Sequence, residues 1–312
     1  MNGVLVVDKS SGPTSFDVVR RVRRALRAQR VGHGGTLDPL ATGVLPVCLG
    51  AATKLAPFLL GADKEYEAVL RFGAETDTAD ADGRVMVERP LGDLDEAALR
   101  ALLPRFTGPQ RQTPPMYSAL KRAGRPLYEY ARAGQEVERA PRDIVIHRLV
   151  LVAFTPPDRA VLRVRCSKGT YVRVLALDMG RAAGPGAHLA ALRRTRSGPF
   201  TSEQAVTLDE VERGARVGDA SPPLVSLADA LAHLPAAAAD DAVARDLAHG
   251  KRVPWRALSG AGGAPSDDEG AAPQPVRVLR ADGSLLAVAE PRADGTVRTL
   301  RVFGPGPEPG PG

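Results

Sequence analysis

The chain has 312 residues, 44% of them hydrophobic, enough to bury a sizeable core in one large domain or in a large domain and a small one. Its formal net charge of +6 suits a polyanionic partner such as nucleic acid. Two cysteines, Cys48 and Cys166, are too few for a metal site or a disulfide framework, the N-terminal apolar run is too short for a secretion signal, and no stretch has transmembrane length, so a cytoplasmic protein with two buried free thiols is expected.

Residues 3–7 read as a buried strand, broken by Ser10-Ser11-Gly12-Pro13. Thr14 or Ser15 can cap a helix over 16–29, with Phe16, Val19, Val22 and Leu26 on its apolar face. Six arginines between Arg20 and Arg30 lie on the other faces and can face phosphates. Residues 31–43 form a glycine-rich loop. Val44–Leu49 reads as a short strand, Thr53–Leu60 as a short helix, and Tyr66–Phe72 as a half-buried strand of period two. The acidic run Asp77–Gly83 lacks the glycine and terminal glutamate of a calcium loop and reads as a solvated turn. A helix over 94–103, an irregular stretch over 109–126, and a strand pair over 144–154 and 159–166 follow, with a Pro-Pro-Asp turn between the two strands. Residues 170–182 are helical, and 187–196 are an apolar–basic segment. Hairpins mixed with helices, without strict βαβ alternation, give an α+β class.

Composition shifts after about residue 215. Residues 258–275 hold almost no large apolar side chain and are expected to be a flexible insertion. Strands over 276–279, 285–290 and 297–302 make a small β domain, and residues 304–312 a disordered tail. The division expected is 1–238 and 239–312.

Four segments can carry chemistry. Gly32-His33-Gly34-Gly35-Thr36-Leu37-Asp38-Pro39 presents one carboxylate in a tight glycine-rich turn. Lys64-Glu65-Tyr66 opens a strand with a ring that can stack on a base. Gln112-Thr113-Pro114-Pro115-Met116-Tyr117-Ser118-Ala119-Leu120-Lys121 is rich in polar donors that suit RNA backbone contacts. Lys168-Gly169-Thr170-Tyr171-Val172-Arg173 places Tyr171 and Arg173 at a helix N-terminus. Each taken alone is an ordinary loop or strand end. No Walker lysine or dinucleotide glycine spacing is present.

Together, in this order and at these spacings, the four segments resemble the bacterial tRNA pseudouridine-55 synthases of the TruB family, over about residues 1–200 and more faintly beyond. Ala187-His188-Leu189 and Leu192-Arg193-Arg194 match as well. The resemblance implies a mixed, mostly antiparallel pseudouridine-synthase sheet with a C-terminal PUA-like RNA-binding domain. It implies base flipping of a T-loop uridine, cleavage of its glycosidic bond, and re-attachment through C5. Asp38 is then the nucleophile and Arg173 its ion-pair partner, keeping it charged. Tyr66 stacks on the flipped base, Tyr171 and Leu192 line the pocket, and His33 packs into the RNA. Asp38 can attack C1′, add to C6, or assist an elimination; one residue serves all three. The reaction is an isomerisation, so no cofactor and no metal are implied. The partner is the tRNA T-arm, with no protein partner and a monomeric state. Other readings are a non-catalytic RNA chaperone, a related synthase acting on another RNA, and a glycosidase, which would want two flanking carboxylates.

Overall fold

The computed structural model describes residues 1–217, 222–260 and 274–304. The chain opens with strand β1 (Gly3–Lys9), then helix α1 (Ser15–Ala25). Thr14 caps α1 in a reciprocal box, its side chain accepting from the Asp17 N–H while the Asp17 carboxylate accepts from the Thr14 N–H. The helix is shorter than its arginine-rich sequence suggests, because Arg27 takes a left-handed conformation (φ 49°). Its buried face is Ser15, Val18, Val19 and Val22, and Phe16, placed inward by sequence periodicity, is 64% exposed.

Short β2 (Val31–His33) leads to β3 (Thr42–Leu49), so part of the expected loop is strand. A 3₁₀ turn (Gly50–Leu55) and α2 (Ala56–Gly61) precede β4 (Lys64–Phe72), whose burial alternates as its sequence does. The small β5 (Ala74–Thr76) and β6 (Val85–Glu88) flank the acidic turn. Next come α3 (Glu96–Leu102), β7 (Gly108–Gln112), the tiny hairpin β8 (Lys121–Arg122) and β9 (Arg125–Pro126), and α4 (Leu127–Arg132). The expected strand pair is β10 (Arg142–Thr155) and β11 (Arg159–Cys166), followed by α5 (Val172–Ala183) and β12 (Ala187–Ser197).

Among the described residues the main sheet has eleven strands, with a central path β3-β12-β4-β11-β10-β7 and β1 beyond β3. Pairing is mostly antiparallel; β12 and β3 run parallel, as do β1 and a short strand at Val206–Thr207. This is the mixed sheet of the expected α+β class.

The sheet is buried on both faces around β1 and β3, which explains their unbroken apolar runs. Leu5, Val7, Leu45 and Val47 join the large core beneath α1 and α5. Val4, Val6, Val44 and Cys48 face the other way, onto Leu285, Val288 and Phe303 of a second, four-stranded sheet. That sheet begins at Ala236–Ala238 and continues through Val276–Leu279, Leu285–Pro291 and Val297–Val302. Trp255, Leu247 and Val278 fill its outer core. Most of the insertion expected at 258–275, and nearly all of the tail at 304–312, lie outside the described residues. At the insertion's near edge Leu258 is 4% exposed and Ser259 pairs with Ala238, so ordered chain runs past the expected boundary.

Both cysteines are free and buried, and burial pushes their thiols up, to about 12 for Cys48 and about 11 for Cys166.

Candidate active site

The glycine-rich segment between β2 and β3 is fastened from five sides. The Gly34 N–H donates to the Pro46 carbonyl at 2.8 Å. Buried Ser15, at the start of α1, accepts from the Leu37 N–H (2.8 Å) and donates to the Leu37 carbonyl (3.0 Å). The Gly12 N–H donates to the Pro39 carbonyl at 2.9 Å. Lys9, at the end of β1 and 1% exposed, donates to the carbonyls of Ser10, Pro39 and Ala41 at 3.0, 3.1 and 2.6 Å. Arg194 of β12 donates to the carbonyls of Gly35 and Thr36 at 3.1 and 3.2 Å. The chain therefore turns at Asp38 with little freedom, its carbonyl accepting from the Ala41 N–H at 3.1 Å.

Asp38 projects from this turn toward Arg173, in the first turn of α5. Their Oδ2 and Nε atoms are 2.8 Å apart. The Arg173 side chain is 4% exposed and that of Asp38 37%, so the carboxylate can be reached from solvent while its counter-ion cannot. Arg173 is also held by donating to the carbonyls of Thr78 (3.0 Å) and Tyr117 (2.9 Å). Its Nε lies 3.6 Å from Oδ2 of Asp80. One guanidinium thus serves two carboxylates and two carbonyls.

Asp80 corrects the sequence reading of its segment as a solvated turn. It is 5% exposed, and its Oδ1 accepts from the Thr78 hydroxyl at 2.5 Å. The turn folds inward because Leu189 of β12 clamps it, donating to the Ala79 carbonyl and accepting from the Ala81 N–H.

The carboxylates and arginine sit in an open-sided cleft of about 440 Å³, whose walls include Tyr66, Tyr171, Leu192 and Lys64. Tyr66, on β4, is 8% exposed, and burial raises its phenol above the usual range. Tyr171 precedes α5, and its backbone is clamped by buried Gln112, which accepts from its N–H (3.0 Å) and donates to its carbonyl (3.3 Å). Leu192 is 8% exposed beside Thr42, whose hydroxyl donates to its carbonyl. Five of the six residues singled out in the sequence, Asp38, Tyr66, Tyr171, Arg173 and Leu192, therefore line one cleft. His33 does not; it pairs with Val47 in the sheet, and burial, with Arg194 nearby, lowers its imidazole below the usual value.

Burial in the cleft pushes the Asp38 carboxyl above the usual carboxylate range. Arg173 and Lys9 oppose that rise and the Asp80 charge adds to it. Lys9 and Lys64 are both pushed down to about 8 by burial. A reachable carboxylate, poised by its neighbours and next to a fixed guanidinium, can act as a nucleophile or charge stabiliser. Among the described residues no group of three His, Cys, Asp or Glu could hold a metal ion, and no helix is long and apolar enough to cross a membrane.

Comparison with known proteins follows the same lines. Residues 23–172 match the family described as TruB family pseudouridylate synthase (N terminal domain), and residues 173–232 the tRNA pseudouridylate synthase B C-terminal domain. The tRNA pseudouridine synthase B of Burkholderia mallei is 50% identical over 290 residues, covering 93% of each chain. That of Cupriavidus metallidurans is 48% identical over 304 residues, covering 97% of this chain and 94% of the relative. Among solved structures, a chain of a Cbf5-Nop10-Gar1 complex superposes with a TM-score of 0.75 at 28% identity, covering 97% of this chain and 85% of that one.

Proposed function

The chain belongs to the TruB family of pseudouridylate synthases, and on that premise we propose that it converts the T-loop uridine of tRNA to pseudouridine, with Asp38 as the nucleophile. The observation that carries the reading is the 2.8 Å ion pair between half-exposed Asp38 and buried Arg173 at the foot of the cleft. The C1′–N1 bond breaks, a C1′–C5 bond forms, and the uracil exchanges its C5 proton for one on N1. Atoms and electrons balance without cofactor or energy source.

The cleft suits a single base and not a stacked duplex, so the uridine must leave the loop before it reacts. Tyr66 offers a ring for it to stack on, worth about 1–3 kcal/mol against the cost of unstacking. Tyr171 and Leu192 wall the same space. His33, outside the cleft wall, is assigned to the RNA left behind. Arg173 keeps the carboxylate ionised and aimed, against the burial that favours its protonation. The second sheet acts as a PUA-like RNA-binding domain, the protein works as a monomer in the cytoplasm, and the exposed arginines of α1 contact phosphate.

Incubation with an unmodified tRNA transcript, followed by chemical mapping of pseudouridine, tests the reading. Modification at the T-loop uridine alone is the expected result. Binding without modification would move the protein to the chaperone class or to another RNA, and a requirement for a second RNA or protein would overturn the stand-alone activity.

A further inference from the structure

Arg194 is 1% exposed, one of the largest fully buried side chains of the described residues. Its guanidinium donates to three carbonyls, those of Val44 at 2.7 Å through Nε, Thr36 at 3.2 Å through Nη1, and Gly35 at 3.1 Å through Nη2. Its charge meets no carboxylate among the described residues within ion-pair distance. A buried cation without a paired carboxylate is costly, and ties among loops can be made by uncharged groups.

Its position explains what the charge and the fork accomplish. In the sheet Arg194 stands between Gly43 of β3 and Tyr66 of β4. Strand packing there is so tight that a Cβ on Gly43 (φ +97°) would lie 2.2 Å from the Arg194 carbonyl oxygen. The side chain then reaches under the turn that ends at Asp38 and borders the same cleft. One residue thereby links the two walls that carry Asp38 and Tyr66.

We propose that Arg194 is a positioning residue for the reaction: its planar fork locks the Gly35–Asp38 turn to β12, which pairs with the strand that carries Tyr66, holding carboxylate and stacking ring at one separation. The assignment rests on the isomerase reading above. Lysine is no substitute, because an ammonium on a flexible stem lacks the rigid fork whose Nε, Nη1 and Nη2 reach the Val44, Thr36 and Gly35 carbonyls. A displacement of about 1 Å between reacting groups is enough to lose about 100-fold in rate.

The test compares the parent with Arg194→Lys and Arg194→Met in single-turnover pseudouridine formation on a saturating tRNA transcript, with equilibrium RNA binding and folded fraction measured on the same samples. A purely structural arginine would lower the folded fraction without changing the rate per folded, RNA-bound molecule. The expected result is a rate per folded complex down about 100-fold for Met and about 10-fold or more for Lys, with RNA affinity within about threefold. Lys rates equal to the parent, or rate and affinity falling together, would overturn the assignment. Failure of both variants to fold would overturn it in favour of a scaffold role. A parent that binds the transcript but makes no pseudouridine would instead overturn the functional reading, and this role with it.

Discussion

Replacing Arg173 by methionine keeps an unbranched apolar stem and removes the guanidinium that touches both cleft carboxylates, at 2.8 Å from Asp38 and 3.6 Å from Asp80. It also strips donors from the carbonyls of Thr78 and Tyr117. Taking one partner from a buried pair costs about 3–5 kcal/mol. The carboxyl of Asp38, already raised by burial and by Asp80, then keeps Lys9 as its remaining cationic support. Loss of an adjacent arginine lifts an aspartate by about one to three pH units. The sign follows: the reaction needs ionised Asp38, so the acid limb of the pH–rate profile moves to higher pH in Arg173→Met. Single-turnover formation of pseudouridine between about pH 5 and pH 9 reads the limb, and denaturant unfolding reads the stability. A limb that stays put while the rate drops would show that Arg173 only aims the carboxylate. An unchanged rate would refute the ion pair's part in the chemistry.

Three further outcomes are expected. Asp38→Asn abolishes turnover while RNA affinity stays within about threefold, because phosphate contacts supply most affinity; a parallel collapse of binding in a filter assay would contradict this. Lys9→Met leaves three carbonyls short of a donor and loses about 2–4 kcal/mol in urea unfolding. With Lys9 pushed down to about 8 from 10.5, the parent's lead over that variant grows as pH climbs from 8 toward 10.5, and a lead that shrinks would contradict the assignment. On α1, Arg20 is tied to Asp17 and Arg21 to Glu212, whereas Arg24 and, in the turn after the helix, Arg27 and Arg30 are exposed with no ion-pair partner among the described residues. Changing those three to glutamine should flatten the salt dependence of RNA binding by up to about 0.9 per lost phosphate contact, and Arg21→Gln should leave it unchanged.

Period and punctuation carried the strands well. β4 alternates in burial as in sequence, and the Pro-Pro-Asp turn joins β10 to β11. The cleft was legible through four short segments, each weak alone, because together, in order and spacing, they resemble the segments of one family. Asp80 was not legible. Its burial comes from Leu189, more than a hundred residues later, and an acidic turn looks solvated until that strand closes over it. Lys9 and Arg194 escaped for a related reason. Both are charged residues at strand positions, and only the bent backbone around Asp38 supplies the carbonyls that bury them. Phe16 failed the other way: the buried stripe of α1 runs through Val18, which a count from Phe16 misplaces by about half a turn.

The most direct test of the central claim follows the hydrogen on C5. A tRNA transcript carrying tritium at C5 of its uridines must release it when C5 joins C1′. The account predicts about one equivalent released per tRNA with the parent and none with Asp38→Asn at full RNA occupancy. Release by the Asp38→Asn protein at the parent rate would contradict it.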